Sequence, residues 1–310
     1  MWKFLLDFIP RAVVYGMPLL FGSTGEILTE KSGNLNLGIP GIMFIGAIAG
    51  TTGAYLYEHS VAEMNTFLAI MIPVLCCLVG SLLMGLLYCF LTVTMRANQN
   101  VTGLSMTIFG TGFANFLGGV LTKLAKSDIA NLDITRSVTY FGDGNHPGWL
   151  AYVGIGIAIL TSLFLRYTRT GLQLRAVGEN PATADAAGIN VTRYKYLATT
   201  IGSMIAGLGG LYYIMASSRT WSEPQIDAAG WLAIAIVIFT TWRPAVSIFA
   251  SIGFGGLLVL STNFPIGIKE LFELVPYVVT LIVLIIVSLR KKRENLPPQS
   301  LGLAYFREER

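Results

Sequence analysis

Apolar residues in this chain come in unbroken runs. Ser32–Tyr57, Met64–Met95, Ala97–Thr122, Gly144–Leu165, Tyr196–Ser218 and Pro244–Ile268 contain no Asp, Glu, Lys or Arg. Shorter charge-free runs lie at Ala12–Gly25, Ala228–Trp242 and Leu274–Leu289. A helix crosses about 30 Å of hydrocarbon with roughly 20 apolar residues, so the pattern predicts an all-α, polytopic transmembrane helical bundle. Nine spans are predicted, at about 11–28, 39–57, 66–94, 101–121, 149–168, 197–216, 229–242, 245–262 and 274–289. The run 66–94 exceeds the length of one span and holds Pro73, which suggests two shorter or broken helices. Lys3 and Arg11 favour a cytoplasmic N-terminus, which nine spans with the tail inside do not give. A tenth span would reconcile the two, and the expected range is eight to ten.

Lys and Arg placement orients the chain. Arg290, Lys291, Lys292 and Arg293 follow the last run directly, which makes 290–310 a cytoplasmic tail. Counting back, the loop 169–196 (Arg169, Arg175, Arg193, Lys195) and the short loop at Arg96 are also inside. Loops 58–65, 217–228 and 263–273 are then outside, and each is rich in acids relative to bases. The whole of 1–310 reads as a single transmembrane domain.

Composition agrees. Of 310 residues, 54% are hydrophobic and 12% charged, about half the charge of a typical soluble chain. A soluble enzyme, a disordered tail and a secreted disulfide scaffold are all poor fits. The net charge of +4 is spread over span ends, so it points to membrane orientation and gives no sign of nucleic acid. Cys76, Cys77 and Cys89 share one apolar run and read as packing residues. Small residues recur every fourth position at Ala198, Gly202, Ala206 and Gly210, and at Gly46, Gly50 and Ala54. In lipid such stripes permit close helix approach.

The catalytic inventory is nearly empty. The two histidines, His59 and His146, have no metal-ligand spacing, and neither H-E-x-x-H nor G-x-S-x-G occurs. No Gly-Lys dipeptide is present, so the chain has no P-loop. It reads as a non-enzyme that binds no cofactor or metal itself. Uphill movement of a substrate would draw on an ion gradient or on a separate ATPase.

Two stretches carry more information. Gly25–Gly41 (GEILTEKSGNLNLGIPG) joins two apolar runs through Gly33, Gly38, Pro40 and Gly41, which disfavour continuous helix. Non-helical backbone at membrane depth must be buried in protein or line a cavity, and Asn34 and Asn36 would suit a neutral hydroxylated ligand there. An ordinary cytoplasmic turn is the other reading. Glu26, an acid close to a span, sits at the interface or faces a partner or pathway. The second stretch, Leu174–Val191, is punctuated as a short helix: Asn180 as N-cap, Pro181 in the first turn, Gly188 as left-handed stop. An alanine-rich helix of two turns is not stable alone, so it must rest on its own bundle or on a cytoplasmic partner.

These stretches resemble two segments of ABC-importer permeases of the family serving simple sugars, nucleosides and branched-chain amino acids. The first matches G-E-x-x-x-E-[RK]-S-G-x-x-N-[LI]-G-x-x-G. The second, Arg175–Asn190 followed by Ala198–Ala216, is similar to R-A-V-G-x-N-P-x-A-A-x-x-x-G-I-N-V and the A-G-L-x-G helix after it, here Ala206-Gly207-Leu208-Gly209-Gly210. The likeness spans Leu19 to Val287 and looks most like the shorter permease of bacterial nucleoside uptake systems. It implies a multi-pass subunit of the bacterial cytoplasmic membrane. The partners it implies are ABC ATPase subunits holding ATP and Mg, a second and paralogous permease, and an extracytoplasmic substrate-binding lipoprotein. It also implies that 169–196 carries a coupling helix, with Asn180, Pro181, Ala184, Ala187, Gly188 and Ile189 touching the ATPase.

Many relatives have Glu where this chain has Pro40, which makes the start of the second span a fixed kink or a helix N-terminus. Candidates for the substrate pathway are Glu26, Asn34, Asn36, Thr107, Asn115, Tyr213, Trp221 and Trp231. The expected cargo is a nucleoside, with ribose, another simple sugar or a branched-chain amino acid as alternatives. An ion-coupled secondary transporter would want ionisable residues inside spans. Glu26, Arg166 and Arg243 are the few near them.

Overall fold

A computed structural model describes residues 2–125, 136–142, 144–218, 223–262, 274–275, 278–282, 285 and 296–306. The described residues are helices and their connections. The long elements are α1 (Trp2–Glu30), α2 (Ile39–Ser60), α3 (Thr66–Cys89), α4 (Gln99–Ala125) and α5 (Trp149–Tyr167). Then come two short helices, α6 (Arg169–Glu179) and α7 (Pro181–Ala186), followed by α8 (Val191–Tyr212), α9 (Glu223–Phe239) and α10 (Pro244–Thr262). Two π-turns, Phe90–Thr94 and Tyr213–Ser218, extend α3 and α8.

Five of these helical stretches, 39–60, 66–94, 99–121, 149–167 and 191–217, are long and apolar enough to cross a membrane, and two shorter apolar helices lie at 228–239 and 244–260. They fall into two classes. In α2 and α8, 83% of the most apolar window is buried, against 33% in α3, α4 and α5. The first pair is therefore central, and the other three turn a wide apolar face outward (Leu83, Ile108, Phe116 and Leu160 among others). α1 is central too. It packs along α8 and α10 and also against α9 and α5, so its polar half, ending in Glu30, is enclosed by protein.

Small residues set these crossings. A Cβ on Gly46 would lie 2.6 Å from the Gly207 Cα, one on Gly202 would collide with the Gly25 carbonyl, and one on Gly210 with the Met43 carbonyl. The stripes on α2 and α8 are thus contact seams between backbones, as expected in lipid. Cys77 and Cys89 are buried in the α3 packing, and Cys76 lies against Gly53.

One expectation changes. The run 66–94 is one continuous element, not two: Pro73 sits inside α3 on a buried face, where α2 approaches its carbonyl at Gly50. Lost backbone bonding at such a proline is tolerated when neighbouring helices hold the segment. At the N-terminus, Lys3 and Arg11 lie on α1 itself, which is unbroken to Glu30. Pro40 falls in the first turn of α2 after Gly38; of the two readings of that position, helix N-terminus is the one that holds. Of the expected span 274–289, only 274–275, 278–282 and 285 are among the described residues.

The ends of the elements expected on the cytoplasmic side share one end of the bundle. Trp242 meets Glu30, Gly178 meets Lys31, and Gln99 reaches both Leu35 and Leu303.

Candidate functional site

The segment between α1 and α2 is not a surface turn. Ser32, Asn34 and Asn36 are fully buried, and side chains from four helices bind it. Glu26 of α1 accepts from the Asn36 amide at 3.0 Å. Gln99 of α4 accepts from the Leu35 amide at 2.7 Å, while Tyr88 of α3 donates to the Leu35 carbonyl. Thr107 of α4 donates to the Leu37 carbonyl at 2.9 Å. Asn34 donates to Thr199 of α8 at 3.0 Å, and Asn36 turns back to accept from Gly38 at 2.9 Å. Irregular backbone inside a bundle needs this kind of service.

The sequence-derived pathway residues Glu26, Asn34, Asn36 and Thr107 therefore come together, as the clamp on one broken segment. Glu26 Oε2, Asn34 Oδ1 and Asn36 Nδ2 are left without a partner among the described residues. Glu30, one turn after Glu26 on the same face, accepts from the Trp242 indole. The other pathway candidates are scattered. Asn115 is half-buried on α4, Tyr213 is buried where α8 turns into its π-segment, and Trp231 is half-buried on α9. Trp221 lies outside the described residues.

The second region is built on three successive caps. Thr168 Oγ1 accepts from Gly171 at 2.9 Å to start α6, and Asn180 Oδ1 accepts from Thr183 at 3.0 Å to start α7. Asn190 Oδ1 then accepts from Arg193 at 2.9 Å to start α8. Pro181 fills the first turn of α7, and Gly188 follows it with φ +82°. The Ile189 amide returns to the Ala184 carbonyl at 3.0 Å, closing the helix end.

What holds so short a helix is its own chain. Val177, Ala184 and Val191 form a small buried cluster, covered by Ile189, Tyr194 and Tyr305. Tyr305 Oη also donates to Asp185 at 2.8 Å. Asn180, Ala187 and Gly188 are exposed, and Pro181 and Ile189 are half-buried. Ala184, expected on the docking surface, is 4% exposed in the subunit, because the cluster lies beneath that side of α7.

Sequence reasoning missed the tail. Residues 296–306 lie across this region. Ser300 donates its hydroxyl and its amide to the Gly178 carbonyl at 2.6 and 3.0 Å. The Gly302 amide reaches the Gly33 carbonyl at 3.3 Å, and Phe306 stacks under the Arg96 guanidinium, 4.7 Å away. Gly178 is the residue of closest approach, since a Cβ there would strike the Lys31 carbonyl. Lys31 lies just beyond α1. Burial lowers its pKa from the usual value, against the opposing pull of Glu179. The signal was legible: Leu-Pro-Pro, then Leu-Gly-Leu-Ala-Tyr-Phe, is too apolar for a solvated tail.

Among the described residues there is no group of three or more His, Cys, Asp or Glu side chains placed to hold a metal ion. The region thus holds a capped short helix with one side exposed, a broken segment buried in the bundle, and a tail joining them.

Comparison with known proteins agrees with that architecture. The sequence model of the family described as "Branched-chain amino acid transport system / permease component" matches residues 8–284. The nucleoside ABC transporter permease protein NupC of Lactococcus lactis subsp. cremoris is 31% identical over 97% of this chain and 97% of its own length. The guanosine ABC transporter permease protein NupQ of Bacillus subtilis is 25% identical over 89% of this chain and 90% of its own. TsgC13 of Haloferax volcanii, named as a glucose ABC transporter permease protein, is 27% identical over 94% of each chain. A solved metal-chelate type ABC transporter in an inward-facing conformation shares the fold, with TM-score 0.52 and 14% identity over 90% of this chain and 85% of that one.

Proposed function

Because the chain belongs to the family of branched-chain amino acid transport system permease components, we propose that this permease subunit carries nucleosides inward across the cytoplasmic membrane. The cargo rests on one observation: NupC and NupQ, named for nucleosides and guanosine, resemble this chain over nearly their whole length. TsgC13, named for glucose, keeps a simple sugar as the second reading.

In this reading ATP is hydrolysed by a separate ABC ATPase that docks on the exposed side of α7, where Asn180, Ala187 and Gly188 face outward and Pro181 and Ile189 form the margin. Displacement of α7 passes through Gly178 to Lys31 and Gly33 and so to the buried segment 31–38. That segment touches α1, α3, α4 and α8, so moving it shifts four helices together. Asn115, Tyr213, Trp221 and Trp231 remain the candidates for substrate contact. A substrate-binding lipoprotein outside and a paralogous second permease complete the assembly. The apolar outward faces of α3, α4 and α5 leave room for the second permease as well as for lipid.

The test is uptake of labelled guanosine, adenosine, uridine, glucose, ribose and leucine by cells with and without this chain, repeated with the ATPase subunit deleted. Loss of nucleoside uptake in both deletions supports the proposal. Loss of glucose or ribose uptake alone moves the cargo to a sugar. Uptake that survives ATPase deletion but collapses with the proton gradient would replace the importer reading with an ion-coupled one.

A further inference from the structure

Beneath the end of α7 lies a cavity of about 650 Å³, lined by the end of α3, the Gly188–Arg193 turn, the first turns of α8 and Tyr305. Three cations line it, Arg96, Arg193 and Lys195, against a single acid, Asp185. Asp185 already accepts from Tyr305 at 2.8 Å.

Lys195 is the unusual member. It is 3% exposed, and no hydrogen bond or ion pair reaches its side chain among the described residues. A cation so enclosed is costly unless an anion answers it, and nothing in the clamp on segment 31–38 or in the α7 cluster uses it. The same wall carries the N-terminus of α8, a helix of 22 residues. Asn190 caps its third amide, and the Val191 and Thr192 amides are first-turn donors with no acceptor inside the helix. The partial positive charge of that end adds to the three side chains.

From this geometry we infer that the cavity is an anion site taking a phosphate group, with Lys195 as its buried contact and Arg193 and Arg96 at its mouth. First-turn amides together with basic side chains are the usual cradle for phosphate. Phosphate can come from the headgroup of an anionic lipid or from solution. The site stands at the ends of helices that turn exposed apolar residues outward, Phe90 and Met95 beside α3 and Leu197 and Ile201 on α8, which favours lipid. Basic pockets at the cytoplasmic ends of membrane helices hold such headgroups. A lipid seated there would brace the turn between α7 and α8 from below.

The experiment uses the full chain, delipidated in a neutral detergent. Phosphatidylglycerol and phosphatidylcholine are titrated separately and bound lipid is counted by native mass spectrometry, while labelled inorganic phosphate is followed by equilibrium dialysis. We expect phosphatidylglycerol to bind and phosphatidylcholine not to. Binding should fall at least tenfold in Lys195→Met and severalfold in Arg193→Gln, and be retained in Lys195→Arg. Arg193 is exposed, so its variant reports on the site even if Lys195→Met folds poorly. Inorganic phosphate binding with the same dependence, without lipid preference, would keep the site and assign it to a soluble phosphate. Equal retention of both lipids, or anion binding that is unchanged in Arg193→Gln and Lys195→Met, would overturn the inference.

Discussion

Ser300 donates its hydroxyl to the Gly178 carbonyl at 2.6 Å, across 122 residues of chain. Gly178 in turn lies against Lys31 and Gly33, where any side chain would collide. This triple junction joins the tail and the α6 end to the broken segment between α1 and α2, beside the Gly302–Gly33 bond and the Gln99 bridge.

Gly178→Ala places a methyl group against the Lys31 carbonyl, which is backbone and cannot rotate away. A destabilisation of about 1–3 kcal/mol is expected, seen as a lower melting temperature of the purified chain. Uptake should fall further than the lost stability alone accounts for. Ser300→Ala removes a single side-chain donor and leaves the amide bond to the same carbonyl, so its cost is about 1 kcal/mol. A Gly178→Ala chain as stable as wild type would show that the junction is loose.

Glu26 tests the clamp on the other side. Glu26→Gln keeps an oxygen for the Asn36 amide at the same distance and should be tolerated. Glu26→Ala leaves that buried amide unpaired and opens a void in a fully enclosed position, for about 2–4 kcal/mol in total. Thermal melting of the two variants separates them. If both fall equally, the carboxylate is needed for its charge, and the hydrogen bond is secondary.

Lys31 gives a pH dependence with a definite sign. Its ammonium is disfavoured by burial, more than Glu179 restores, so its folded pKa lies below the unfolded one. The folded state therefore binds fewer protons than the unfolded state between those two values, and stability rises with pH there. Lys31→Met should remove that alkaline gain and be as stable as wild type or more so at neutral pH. Melting temperatures of the two chains across pH 7 to about 10.5, the ordinary lysine value, measure it.

Much of this was legible from residues alone, and for physical reasons. Charge-free runs locate spans because lipid excludes charge, so helices α2, α4, α5 and α10 fall where Ile39, Val101, Trp149 and Pro244 open apolar stretches. Asn180, Pro181 and Gly188 locate α7 because capping is local chemistry. What could not be read is long-range. The fate of Asn34 and Asn36 depends on Thr199 and Glu26 arriving from other helices, and a carboxamide carries no mark of whether it will meet a ligand or a backbone. The π-turns after Cys89 and Tyr212 change the helix by a single residue each and leave no period to detect. The inward face of α7 depended on Tyr305, more than 100 residues away.

That inward face yields the sharpest test of how α7 works. Ala184 and Ala187 are neighbours on one turn, yet Ala184 is buried in the cluster with Val177 and Val191, while Ala187 is exposed. A large side chain at position 184 must push against Tyr305 and Ile189, so Ala184→Trp should destabilise the region by about 1–3 kcal/mol and reduce the amount of folded chain in the membrane. Ala187→Trp meets solvent in the isolated subunit and should leave its melting temperature unchanged. If the exposed side of α7 is where the ATPase docks, Ala187→Trp will lose the ATPase on co-purification and lose uptake with it, at normal membrane levels. Position 187 serves better here than Gly188, whose φ of +82° would add backbone strain to any substitution. Retention of the ATPase by Ala187→Trp at wild-type levels would place the docking contact away from α7, and with it the drive for transport.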